Sequence, residues 1–477
     1  MMILLIAIYT FQCFAVFNYE DDKEKRKIYR NQILIIYFIH FMAFTGMYFK
    51  TSDNTILLYY LLQAVLLSII IFLYTKLYPK VSRLIINNMC MLLGIGFIIL
   101  TRLSYQKALK QSIIVAGGFI ISLFIPVIIR KVKNFSEFRA LYGIIGIISL
   151  AAVVIAGQVS GGAKLGFTIA GIGIQPSEFV KIIFVFFVAA SFYKNTGFKN
   201  VCITTIVAAF HVLILVVSKD LGAALIIYVV YLVMLYVSTQ KIFYAFAGLG
   251  AGTGAAVIAY HLFQHVRIRV EVWKNPFEVY NEGGYQVAQS LFAIGTGSWF
   301  GTGLFQGKAD AIPVADEDFI FSAIAEEMGL VFALCIILIC VSCYVMFLNI
   351  AMQLRNRFYK FVALGLGTSY IFQTFLNIGG VTKFIPSTGV TLPLISYGGS
   401  SAFSTLIMFA IIQGLYILKE DEDEYIERKR QEKQAQKNAE YRVGYHIVEP
   451  GRTGRNGKRR KTAVETKKEK RLKSRTD

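Results

Sequence analysis

The chain has 477 residues, 56% of them hydrophobic and only 16% charged, yet it carries 49 Lys+Arg against 29 Asp+Glu, a formal net charge of +20. Soluble proteins of this length form two or three domains and carry roughly 25% charged residues. Apolar bulk joined to positive charge excludes disordered, collagen-like and disulfide-scaffold classes, and points to a polytopic membrane protein whose basic residues collect in cytoplasmic loops.

Crossing a bilayer takes about 20 mostly apolar residues. Such stretches recur at 2–17, 33–50, 55–76, 84–101, 111–129, 139–157, 176–193, 200–218, 221–238, 242–264, 319–350, 358–380 and 399–418, thirteen in all. The first lacks the basic n-region and small-residue cleavage site of a signal peptide, so it reads as a span. The basic cluster Lys23–Arg30 follows that span, which places the N-terminus outside. Under strict alternation the inside loops hold 18 Lys/Arg and the outside loops 11, a bias that puts the C-terminus in the cytoplasm. The last 59 residues hold 19 Lys+Arg and 12 Asp+Glu, with acidic Glu420–Glu424 followed by basic runs such as Lys458–Lys461. They read as a charged, disordered cytoplasmic tail. Six cysteines lie in or beside apolar runs; Cys340 and Cys343 make a C-x-x-C inside a hydrophobic helix with no second pair or nearby His, so no metal site is expected there. One external loop, about 265–318, is long for a compact fold. Its Trp273, Phe277, Phe292, Trp299 and Phe300 suggest an ordered segment hugging the membrane, with a hairpin that merely plugs the bundle as the alternative.

Ionisable residues within or at the ends of spans cost about 2.5–3.5 kcal/mol at a helix centre and are functional candidates by default. Four sets qualify. Gln175-Pro176-Ser177-Glu178 with Lys181 opens a span: Pro suits the first helical position and Glu the first turn, and Glu178 and Lys181 share a face. A helix cap with a structural ion pair is the plainer reading. Asp220-Leu221-Gly222 opens the ninth span, as a helix cap or as part of a site. Asp318 stands where the external loop enters a helix, against Phe319 and Phe321, with Glu326 two turns further in. An apolar setting raises a carboxylate's pKa and suits it to general-base work, worth about 10²–10⁴-fold, although capping accounts for the spacing equally well. Finally, Asn377–Ser401 contains Lys383, Pro386, Pro393, Ser396 and the helix start Gly398-Gly399-Ser400-Ser401, which can present backbone N–H groups to an anion such as a pyrophosphate.

Read as a string, Asn377–Ser401 resembles the signature of the SEDS family of polytopic proteins (shape, elongation, division and sporulation; the RodA, FtsW and SpoVE relatives). The other motifs follow in that family's order. Gln175–Glu178 with Lys181 resembles its QPSE-x-x-K helix, Asp220-Leu221-Gly222 its PDLG element, and Arg269, Val270, Trp273 and Pro276 the entry to its large loop. Asp318–Phe321 with Glu326-Glu327 resembles DFIF-x-x-x-x-EE. The likeness covers roughly residues 84–418. Two departures stand out: Lys219 occupies the place of a usual proline, and Gly162-Ala163-Lys164-Leu165-Gly166 lacks an Arg-Trp pair, with Lys164 offering a positive charge one place away.

The resemblance implies an all-α polytopic membrane protein: a ten-helix core over 81–418, three extra N-terminal transmembrane helices over 1–80, and a tail over 419–477. It implies a bacterial peptidoglycan glycosyltransferase that polymerises lipid II into glycan strands at the outer face of the cytoplasmic membrane, serving cell division or cell shape. Asp318 then corresponds to the external acidic residue expected to activate the acceptor hydroxyl. Undecaprenyl diphosphate leaves, so Lys181, Arg267, Arg269 and Lys383 are the cations expected to meet it, and a divalent cation (Mg or Mn) would suit the same charge. Glu178, Asp220, Ser396, Gly398, Gly399 and Ser400 are carried over as substrate-binding positions. The partners implied are a class B penicillin-binding protein (the transpeptidase) and divisome or elongasome components, with no nucleic acid. Two other classes compete: a lipid II flippase, using Glu178/Lys181 and Asp220 as a pathway, and a noncatalytic scaffold regulating a penicillin-binding protein, which the missing Trp leaves open.

Overall fold

Eleven helices among the described residues are long and apolar enough to cross a membrane, in a computed structural model that describes residues 1–132, 134–160, 163–169 and 172–446. In chain order the helices are α1 (Met2–Ala15), α2 (Asp22–Thr51), α3 (Thr55–Leu77), α4 (Arg83–Leu103), α5 (Tyr105–Ser122), α6 (Ile125–Lys131), α7 (Arg139–Ala156), α8 (Pro176–Phe192), α9 (Phe198–Val217), α10 (Leu221–Thr239), α11 (Ile242–Leu262), α12 (Gln264–Lys274), α13 (Tyr285–Gly297), α14 (Ile320–Met328), α15 (Leu330–Gln353), α16 (Arg357–Val381) and α17 (Gly399–His446). Each of the thirteen expected spans has a helical counterpart. The two outside the eleven are α1, of 14 residues, and α8, of 17. The chain is a multi-pass membrane protein.

Three features depart from the expected pattern. The span expected over 319–350 is two helices, because Gly329 (φ +86°) turns the backbone out of helical geometry between α14 and α15. A Cβ at Gly329 would stand 2.3 Å from the Gly301 nitrogen, so glycine also allows the loop to pass close by. The segment before α8 forms a small antiparallel sheet, β1 (Gln158–Ser160), β2 (Ala163–Ile169) and β3 (Ile172–Ile174), paired in that order, in a chain expected to be all helical. Its strands are too short for their alternation to stand out from a loop. Last, the helix expected to stop near residue 418 runs on to His446. Its polar continuation is built from good helix formers with pairs such as Glu424–Arg428, 2.5 Å apart at i,i+4. The disorder expected of the tail concerns, from 447 onward, residues outside those described. Met1–Asp421 forms one compact unit and the residues from Glu422 a second.

Within the first unit α4 is the innermost helix, its membrane-length window fully buried. It packs against α2, α3, α5 and α15, while α1 packs against α15 and α2. Lipid tails are as apolar as leucine, so packing and hydrogen bonds hold such helices together. A polar seam does this here. Tyr9 and Cys13 of α1 donate to Asn88 Oδ1 (2.9 and 3.2 Å), and Asn88 Nδ2 donates to Ser342 of α15 (3.3 Å). Asn87 donates to Gln32 of α2 (3.0 Å), and Gln63 of α3 donates to Thr101 (3.1 Å). On the other side α8 is gripped by α7, α9, α10 and α16. These helices carry the external segments that form the site.

Candidate functional site

An open cavity of about 170 Å³ lies between α12, the junction leading into α14, and the loop after α16. Its walls include Arg269, Trp273, Gln286, Asp318, Lys383 and Ser387. The 265–318 segment carries α12, α13 and two short 3-10 turns joined by loop. Each wall is fastened to another by side chains that donate to main-chain carbonyls. Asn377, at the end of α16, donates through Nδ2 to both the Asp318 carbonyl (2.8 Å) and the Val390 carbonyl (2.7 Å). Arg269 Nη1 donates to the Ser387 carbonyl at 3.0 Å, and Trp273 Nε1 to the Lys383 carbonyl at 3.1 Å. Below this loop α10 approaches closely: a Cβ on Gly222 would fall 2.3 Å from Val390 Cγ1, so the Asp-Leu-Gly element needs its glycine.

Burial pushes the Asp318 carboxyl up from 3.8 to about 6; hydrogen bonding to its own backbone N–H opposes this, the Glu317 and Asp316 charges add to it, and Arg269 pulls the other way. Burial likewise lowers Arg269 from its usual range, while Asp318 and Asp220 hold it up. A carboxyl near 6 beside a guanidinium, with a lysine across the cavity, can accept a proton on one wall and face an anion on the other.

The remaining expected residues lie elsewhere. Arg267 is exposed, donates to the His261 carbonyl (3.2 Å) and is absent from the cavity wall. Two positions along a helix point to opposite faces, so α12 can present Arg269 or Arg267 to the cavity and presents Arg269. Glu178 and Lys181 pair at 2.9 Å inside the bundle, where Lys181 also donates to Gln373 (2.6 Å) and Glu178 accepts from Ser404 (3.1 Å). Asp220 caps α10 through Ala223 N (3.1 Å) and accepts from Ser177 Oγ (2.8 Å) and Gln175 Nε2 (3.1 Å). Ser400 Oγ accepts from Gln175 N (2.8 Å), and Ser396 Oγ accepts from Leu392 N (2.8 Å). Gly398 N donates to Gln111 Oε1 (3.4 Å), and Gly399 opens α17. Asp318, Arg269 and Lys383 thus share the cavity, while the other positions are tied into the helices beneath and beside it. The side chain of Lys164 falls outside the described residues.

Sequence reasoning missed Asn377 and Gln373 as organising side chains, and Lys107, which pairs with Asp316. Asn377 stood at the head of the recognised string, but nothing in the sequence shows that its amide joins two distant carbonyls. Among the described residues no group of three or more His, Cys, Asp or Glu side chains is placed to hold a metal ion. Asp318 is the one carboxylate on the cavity wall beside two cations, a donor set that suits an anion; a divalent cation there would need the substrate's own phosphates as further ligands.

A sequence model of the FtsW/RodA/SpoVE family, described as cell cycle proteins, matches residues 82–419. Among curated proteins, the peptidoglycan glycosyltransferase RodA of Mycobacterium leprae is 33% identical over 360 residues, spanning 70% of this chain and 77% of that one. The probable peptidoglycan glycosyltransferase FtsW of Aliivibrio salmonicida is 31% identical over 356 residues, 70% of this chain and 85% of its own. Among solved structures, a chain from a peptidoglycan synthase complex that coordinates polymerization and crosslinking superposes with a TM-score of 0.61 at 21% identity, covering 72% of this chain and 98% of that one. The Thermus thermophilus rod shape determining protein RodA gives 0.53 at 20% identity, covering 70% and 96%. At those identities the structural likeness speaks for the fold.

Proposed function

The chain belongs to the FtsW/RodA/SpoVE family, the SEDS proteins, and from that membership we propose that it is a peptidoglycan glycosyltransferase, polymerising lipid II into glycan strands at the outer face of the bacterial cytoplasmic membrane for cell division or cell shape. The observation that carries the mechanism is the shared cavity: Asp318, raised to about 6, on one wall with Arg269 and Lys383 on the others. Asp318 takes the proton from the acceptor sugar's hydroxyl as that oxygen attacks the anomeric carbon of the donor. The bond from that carbon to the diphosphate breaks, and undecaprenyl diphosphate leaves with the electron pair. Arg269 and Lys383 meet the charge that develops on the leaving group, as preorganised cations in a partly dry site do at greatest effect. General-base help of this kind supplies about 10²–10⁴-fold. Each step is assigned to side chains on the cavity wall.

In this reading the N-terminus lies outside and the C-terminus in the cytoplasm, residues 1–80 are an addition to a ten-helix core, and the polar end of α17 begins a cytoplasmic tail. The partner is a class B penicillin-binding protein that crosslinks the strands, together with divisome or elongasome components. The test is polymerisation of labelled lipid II by the purified chain, with and without that transpeptidase. Glycan product from the parent and none from Asp318→Asn is expected. No product under any condition refutes the reading, and lipid translocation without polymerisation would replace it with a flippase.

A further inference from the structure

The segment that delivers Asp318 to the cavity is also held from the start of α5. Lys107, in the first turn of that helix, pairs with the Asp316 carboxylate and stands 3.8 Å from a Glu317 oxygen. Its ammonium lies 5.3 Å from the centre of the Tyr397 ring, and Tyr397 N donates to the Asp316 carbonyl at 2.7 Å. Charge and backbone contacts therefore converge on the residue two places before Asp318.

Lys107 has its own support, part of it from Tyr59 and Asp53 in the stretch that precedes the family match at residue 82. Ser104 Oγ caps α5 by accepting from Lys107 N (3.4 Å). The Tyr105 ring stacks on Tyr59 of α3, with centroids 5.5 Å apart and planes 21° apart. The Asp53 carboxylate, in the turn between α2 and α3, lies at the Tyr105 hydroxyl.

We infer that Lys107 is a positioning residue for the reaction proposed above, fixing the Asp316–Asp318 segment and offsetting the two carboxylates that precede Asp318. The charged groups facing Asp318 are Asp316 and Glu317 in its own segment, Arg269 from α12, and Lys383 from the loop after α16; Lys107 reaches it from α5 by way of the first two. Like charges beside a carboxylate oppose its ionisation, and a cation that shares their field relieves them. With Lys107 neutral, Asp318 keeps its proton to higher pH and is less available as a base. This rests on the polymerase reading for its catalytic meaning, while the charge relation itself is measurable without catalysis.

The experiment compares the full chain with its Lys107→Gln, Lys107→Arg and Glu317→Gln variants in two measurements across pH. One is the rate of glycan formation from labelled lipid II. The other is carbodiimide labelling of Asp318, mapped by mass spectrometry, which reports the protonated carboxyl whether or not the protein polymerises. Lys107→Gln is expected to move both midpoints up by about half a pH unit or more, and Lys107→Arg to return them toward the parent. Glu317→Gln is expected to move both midpoints down, which keeps the test open if Lys107→Gln does not accumulate. An unmoved midpoint in Lys107→Gln overturns the inference even if the plateau rate falls, since lost rate alone reports a structural role. So does a midpoint that fails to fall in Glu317→Gln. A parent that yields no glycan refutes the polymerase reading, and the labelling midpoints then decide the charge relation by themselves.

Discussion

Asp318→Asn separates a catalytic base from a structural carboxylate by moving activity and stability in opposite directions. The Asp318 carboxyl is carried from 3.8 to about 6 chiefly by burial. One pKa unit corresponds to about 1.36 kcal/mol, so ionised Asp318 costs the folded chain about 3 kcal/mol at neutral pH relative to an unfolded one. The folded state binds this proton more tightly than the unfolded state does. The contribution to stability is therefore fully present below 3.8 and is lost as pH rises through about 6. Asparagine keeps the shape and removes the charge. Thermal stability near neutral pH should rise by about 1–3 kcal/mol, the lower figure allowing for solvent screening at a half-buried site. Polymerisation should fall by about 10²-fold or more. In the parent, the rate should climb roughly tenfold between about pH 5 and 7 as the base form fills. Melting in detergent at several pH values and product analysis from labelled lipid II measure both. A variant that keeps more than about a tenth of the parent rate, or that melts below the parent at neutral pH, refutes the assignment.

Arg269→Ala removes both a cavity cation and the bond to the Ser387 carbonyl, so the KM for lipid II should rise about tenfold or more, with Arg269→Lys falling between; an unchanged KM would remove Arg269 from the leaving-group site. Glu178→Gln leaves the Lys181 ammonium buried without its counter-charge and should cost about 3–5 kcal/mol. The Glu178→Gln, Lys181→Met double variant should melt higher than that single variant, and strictly additive losses would show that the pair is not coupled. Asn88→Leu breaks the bonds to Tyr9, Cys13 and Ser342 while keeping bulk, and should cost about 1–2 kcal/mol in a melt; a stability equal to the parent would mean that packing alone docks α1.

What the sequence made legible follows from the range of each interaction. Hydropathy is local, so the spans could be placed within a few residues. The apolar setting of Asp318 was also legible, from Phe319 and Phe321 beside it, whereas its role as a base came only from the family resemblance. The break at Gly329 was hidden: glycine is common in membrane helices, and only the passing loop at Gly301 makes this one a corner. Arg267 and Arg269 looked equivalent until α12 fixed which face meets the cavity. Gly398–Ser401 looked like a nest for an anion, but Gly398 N bonds to Gln111, 287 positions away in the chain. The same limit hid Lys107, whose partner lies more than two hundred residues downstream.

The polar seam around α4 also sets an order of events during synthesis. Tyr9, Gln32 and Gln63 reach the bilayer before Asn87 and Asn88 exist, and Ser342 follows 254 positions after Asn88. A polar group left in hydrocarbon without a partner is expensive. The first three helices therefore wait, incompletely satisfied, for α4, and the seam closes only when α15 is made. A nascent chain halted between those helices displays an open polar stripe, the kind of defect that membrane quality control can recognise. A chain begun at α4 has the complementary defect: Asn87 loses Gln32, and Asn88 Oδ1 loses Tyr9 and Cys13. The first eighty residues and the helices that follow thus complete each other's polar contacts.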